Sequence, residues 1–118
     1  TFSFFMHILI YERRGDLVSL DFISSKDVLK YMDGGRAVLI DLRTGEEYKR
    51  GHIPGAVSMP YETFDDKAPV LKKYAIIILC CDRGAASLLM GRKLSAEGYR
   101  ILSIGGGMSA WRGPLVTK

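Results

Sequence analysis

The sequence has 118 residues, 47% of them hydrophobic and 25% charged, a composition that fits one compact domain with a single core and excludes disordered and fibrous classes. Its formal charge of +4 is scattered rather than gathered in a run, so it attracts a small anion but lacks the basic face with interleaved aromatics that nucleic acid requires. No stretch approaches the roughly 20 apolar residues that cross a bilayer, so neither nucleic acid nor membrane is expected as a partner.

The chain opens with FSFFMHILIY, Phe2 to Tyr11. With no basic region before it and no small-residue cleavage site after it, it reads as a terminal helix or strand rather than a signal peptide. It belongs to an extension, residues 1–16, packed on a domain spanning residues 17–118. Leu17 to Ile23 is rich in β-branched and aliphatic side chains and predicts a strand. Ser24 with Asp27 three residues on resembles a capping box for a helix through KDVLKYM, closing at Gly34-Gly35. Ala37 to Leu42 is apolar at nearly every position, as a strand buried on both faces must be. Thr44 with Glu47 repeats the capping device and predicts a short helix that stops at Gly51.

Ala56 to Ser58 forms a further short strand, and Ala75 to Cys80 is the second strand with a continuous apolar run. A longer helix begins around Ala85 to Ser87, runs through LLMGRKLSAE and ends at Gly98. Arg100 to Ile104 predicts another strand, and a short helix after Gly107 takes in Trp111. Alternating strands and helices predict an α/β domain with a mostly parallel central sheet of about five strands, flanked by helices on both faces. Ligands of such sheets bind beyond the carboxyl ends of the strands, which directs attention to the residues just after Leu42 and Leu79.

Leu79 leads into the only two cysteines, Cys80 and Cys81. As neighbours they cannot staple distant segments. His7 and His52 lie too far away in unrelated contexts to complete a zinc site, and no metal or other cofactor is expected. A free thiol in a reducing, cytoplasmic compartment is the simplest account. Beyond the cysteines the chain passes through Asp82, Arg83, Gly84, Ala85, Ala86 and Ser87 into a helix. A tight loop of small residues at that junction turns backbone N–H groups inward and forms an anion nest reinforced by the helix dipole. Cys81 stands at the start of this loop, where the field favours a thiolate. Successive strand side chains point to opposite faces, so Cys80 is read as core.

Two separated segments, VLIDLRTGEEYKRGHIPGAVSMP (residues 38–60) and IIILCCDRGAASLLMGRKLSAEGYRILSIGGGMSAW (residues 76–111), resemble the rhodanese family in order and spacing. The D-x-R, GHIPGA, cysteine-loop and GG-x-x-x-W features are specific in combination. The resemblance implies a three-layer domain of the single-domain thiosulfate sulfurtransferase kind. It implies Cys81 as the nucleophile that carries sulfur as a persulfide, from a small anionic donor such as thiosulfate to cyanide, a thiol, or the thiol of a partner protein. Asp82, Arg83, Gly84, Ala85, Ala86 and Ser87 would form the substrate-binding loop.

This chain has Asp82 and Ala86 where many members have arginines, leaving Arg83 as the loop's cation and making thiosulfate a doubtful natural donor. Asp41 and Arg43 are expected to hydrogen-bond and fix the His52–Gly55 turn, with Glu47 as a helix cap. His52 is read as a turn histidine, and Trp111 as core or a wall of the site. A phosphatase of the C-x5-R kind would place arginine where this chain has Ser87. A non-catalytic or sulfur-relay module is the other alternative, and the presence of the cysteine favours the enzyme.

Overall fold

The computed structural model describes residues 5–11 and 17–118. Two strands, β3 (Ala37–Asp41) and β5 (Ile76–Cys80), are buried at every residue, as their near-continuous apolar sequences require. They lie side by side and parallel in a six-stranded sheet. The other strands are β1 (Phe5–Tyr11), β2 (Leu17–Ile23), β4 (Val57–Ser58) and β6 (Ile101–Ile104), and the order across the sheet is β1-β2-β6-β5-β3-β4. All neighbours are parallel except β1, which runs antiparallel to β2. The five expected strands are thus present. Residues 5–11 of the expected terminal segment form a sixth, and the rest of the 1–16 extension lies outside the described residues.

Alternation along each strand builds two cores. Leu39, Ile76, Ile78, Cys80, Leu102 and Ile104 face one way, packing with Val28 of helix α1 (Ser25–Met32) and with Trp111. Val38, Ile40, Ile77, Leu79 and Ile101 face the other way and meet Met90 and Leu94 of helix α3 (Ala85–Ala96). Each fully buried aliphatic side chain contributes on the order of 1.5–3 kcal/mol, so both helical layers are held by the sheet rather than by their own propensity.

The cap at Thr44 forms as expected: its hydroxyl accepts the Glu47 amide while the Glu47 carboxylate accepts the Thr44 amide, opening helix α2 (Gly45–Arg50). Glu47 is thereby held below the ordinary range of its carboxyl, chiefly by the Thr44 backbone hydrogen bond. The capping box expected at Ser24 does not form. Asp27 is fully buried, and the Ser24 hydroxyl donates to its carboxylate at 3.1 Å instead of accepting an amide. A buried carboxylate needs donors more urgently than the first turn needs an acceptor, and the Asp27 amide is already bonded to the Ser24 carbonyl. The helix expected to include Trp111 is also shorter. It is a single 3-10 turn, Gly107–Ala110, and Trp111 lies just beyond it in extended backbone, where its ring reaches the core.

Candidate active site

Cys81 is the first residue after β5, at the carboxyl edge of the sheet. The chain then turns through Asp82, Arg83 and Gly84 and enters α3 at Ala85. Gly84 takes φ +110°, a left-handed conformation that costs a β-carbon-bearing residue about 1–2 kcal/mol. This turn aims backbone donors at the thiol. The Gly84 N–H donates to Sγ of Cys81 at 3.0 Å and the Ser87 N–H at 3.4 Å. The Ser87 hydroxyl lies 3.5 Å from the same sulfur and donates to the Gly84 carbonyl. Ala85, Ala86 and Ser87 are the first three residues of α3, whose amides have no intrahelical acceptor, and the positive end of the helix dipole faces the loop.

Cys81 and Ser87 are buried, whereas Asp82, Arg83 and Ala85 are exposed. The sulfur therefore receives two peptide N–H groups in a loop that exposes one negative and one positive side chain. Neither Asp82 nor Arg83 makes an ion pair among the described residues.

The glycine run Gly105-Gly106-Gly107, for which no structural task was expected, forms the second wall. The Met108 N–H donates to the Cys81 carbonyl at 2.8 Å and the Ser109 N–H to the Asp82 carbonyl at 3.1 Å. Gly107, at φ +63°, lies so close that a β-carbon there would run into both carbonyls. Three consecutive glycines directly after a buried strand were the available signal, because close backbone approach is one of the few reasons to place them there.

Cys80, also free and buried, differs from its neighbour in its surroundings. It is fully buried in the opposite core, and its Sγ reaches the Cys81 carbonyl at 3.7 Å. Burial pushes this thiol far above its ordinary range, with the Asp41 charge adding to the effect.

Asp41 and Arg43 form a pair held by the Arg43 Nη2–Asp41 contact at 2.8 Å and an Nε–Oδ1 bond at 3.1 Å. The same Nη2 donates to the Gly51 carbonyl at 2.8 Å, tying the end of α2 to β3 directly ahead of His52. The Asp41 hydrogen bonds hold the guanidinium still more firmly protonated. His52 Nδ1 lies 2.7 Å from the Tyr48 carbonyl, and its ring stacks on Tyr48 at 3.6 Å. Its backbone bridges to Val116, and none of its hydrogen bonds reaches Cys81. Trp111 is buried in the core and donates from Nε1 to the Pro114 carbonyl at 3.0 Å. Among the described residues no three metal-ligating side chains converge, and no helix is long and apolar enough to cross a membrane.

Comparison with known proteins places these features in a wider set. The family model described as the rhodanese-like domain matches residues 24–114. The chain is 35% identical over 81 residues to a tRNA sulfurtransferase of Desulfurococcus amylolyticus, covering 69% of this chain but only 16% of that protein. It is 32% identical over 111 residues to thiosulfate sulfurtransferase 18 of Arabidopsis thaliana, covering 81% of this chain and 79% of the relative. A rhodanese-like domain protein from Staphylococcus aureus superposes with a TM-score of 0.71 at 29% identity, covering 82% of this chain and 97% of the other.

Proposed function

The chain belongs to the rhodanese-like domain family, and from that membership we propose that it is a sulfurtransferase working through a persulfide on Cys81. The observation that carries this reading is the pair of backbone N–H groups, from Gly84 and Ser87, donating to Cys81 Sγ. Donors fixed before reaction stabilise charge on Sγ without reorganisation, and Sγ carries that charge as the attacking thiolate and again as the thiolate released when the acceptor takes the outer sulfur.

In the first half-reaction the thiolate attacks the outer sulfur of a donor such as thiosulfate. An S–S bond forms to Cys81, the donor's own S–S bond breaks, and its electron pair leaves with sulfite. In the second half-reaction an acceptor, cyanide or a thiol, attacks the outer sulfur, and the Cys81–S bond breaks to return the thiolate. This is covalent catalysis in two steps and predicts ping-pong kinetics. Arg83, exposed on the rim, meets the incoming anion. Ser87, at the position where a C-x5-R phosphatase would carry arginine, offers its amide to one sulfur rather than a fork for phosphate.

Intact-protein mass spectrometry after exposure to thiosulfate or a low-molecular-weight persulfide tests the assignment. One added sulfur, removable by cyanide, is expected on the parent protein and on Cys80→Ser, and none on Cys81→Ser. Equal loss in both variants, with folding intact, would overturn it.

A further inference from the structure

A groove of about 540 Å3 lies between the start of α1 and the segment that follows β6, within the range of roughly 300–1,000 Å3 usual for small-molecule sites. None of the residues from Cys81 to Ser87 lines it, so an occupant has no part in the sulfur chemistry. Leu29 and Trp111 supply its apolar floor. Leu29 is 38% exposed although aliphatic. The Trp111 Nε1 is already bonded to the Pro114 carbonyl, so the indole offers the groove hydrocarbon surface rather than a free donor.

The charge around this floor has one sign. Lys26 and Arg112 line the groove, and among the described residues no acidic side chain does. Both are exposed and neither makes an ion pair among the described residues. Lys30, one turn beyond Lys26 on the same helix, is by contrast paired with Asp27. Arg112 is also held in place: its backbone N–H donates to the Ser25 hydroxyl at 2.9 Å, joining the two walls, and its Nη1 donates to the Ser109 and Trp111 carbonyls at 3.4 and 3.3 Å. A guanidinium anchored through one nitrogen keeps the donors of its other two for a further partner, and a carboxylate is the group that matches them.

We propose that this groove is a second ligand site, separate from the Cys81 loop, and that it takes a small amphipathic carboxylate with an unbranched alkyl body. The alkyl chain covers Leu29 and the Trp111 ring, and the carboxylate is met by Lys26 and Arg112. A purely apolar ligand would leave both cations without a partner, and a bare anion would leave the floor in water, so recognition needs both halves in one molecule. The site stands independently of the persulfide reading of Cys81.

Trp111 is the chain's single tryptophan, so its fluorescence reports on the groove directly. Octanoate is expected to give a saturable change, and octan-1-ol, with the same body and no charge, a weaker one. Lys26→Met and Arg112→Met each weaken octanoate about two- to fivefold, the range of an exposed charge pair, and leave octan-1-ol unaffected. Leu29→Asp weakens both ligands about tenfold, through the lost aliphatic contact. Arg83→Ala, on the other loop, leaves octanoate affinity unchanged, and octanoate does not compete with thiosulfate for Cys81. A flat titration overturns the site, and so does octanoate affinity indifferent to Lys26→Met and Arg112→Met on folded protein. Affinity that falls with Arg83→Ala, or competition with thiosulfate, would put the carboxylate in the Cys81 loop and overturn the second site while leaving the reading of Cys81 intact.

Discussion

Asp82 and Arg83 stand next to each other on the rim of the Cys81 loop, both exposed. A donor approaching the sulfur meets attraction and repulsion of similar size, because two unit charges at about 4–6 Å in a half-solvated site each contribute on the order of 1 kcal/mol. A dianion feels the imbalance twice as strongly as a monoanion. Removing Arg83 should therefore raise the KM for thiosulfate about fivefold or more with little change in kcat, whereas Asp82→Ala should lower it by a similar factor. Both effects should shrink as ionic strength rises toward 1 M, where the screening length is about 3 Å. Initial-rate kinetics of the two variants at low and high salt check this. A KM that ignores both substitutions removes Arg83 and Asp82 from donor binding.

At the scale of elements, the site is one strand end, one helix start and one 3-10 turn, and the turn is the part most easily broken. Gly107 serves as a spacer: a β-carbon there would displace the Cys81 and Asp82 carbonyls, and with them the amides that face Sγ. Gly107→Ala should cost about 1–3 kcal/mol of stability from its left-handed backbone alone. It should lower persulfide formation more than tenfold at a temperature where the variant is still folded. Gly105→Ala, whose β-carbon would meet nothing within 4 Å, is the control. Loss of rate in proportion to loss of fold in both variants would reduce Gly107 to a structural glycine. The sequence made the strand end and helix start legible, because adjacent positions of a strand point to opposite faces and so separate Cys80 from Cys81, and the small-residue loop names its own turn. The glycine run signalled a close backbone approach at Gly107 but not its partner, since the Cys81 loop lies about 25 residues away in sequence and local pattern does not name it. The two capping signals show the same limit. Thr44–Glu47 closes because both partners are on the surface and free for each other, whereas Asp27 is drawn into the core and turns the Ser24 hydroxyl into a donor.

At the scale of the whole molecule, the alternation that separates Cys80 from Cys81 also assigns the two helical layers different tasks. The apolar runs announced a parallel sheet covered on both faces, but the order β1-β2-β6-β5-β3-β4 depends on which side each crossover takes, and hydrophobic pattern is silent on that. The layer on the Cys81 side holds α3, and its fully buried Leu94 lies two turns below Ser87 on the same face of the helix. The opposite layer holds α1 through the fully buried Val28. Leu94→Ala should cost about 2–5 kcal/mol and Val28→Ala about 1.5–3 kcal/mol, each with an unchanged denaturant slope if the sheet unfolds as one unit. Their effects on the chemistry should part company. Leu94→Ala loosens the seat of α3, so the Ser87 amide no longer holds its position against Cys81 Sγ, and alkylation and persulfide formation slow several-fold in the folded protein. Val28→Ala leaves both rates unchanged, because α1 reaches the loop only through the far side of the sheet. Urea titrations paired with stopped-flow measurement of Cys81 modification separate the two, and equal slowing in both variants would mean that the loop is held by global stability rather than by α3.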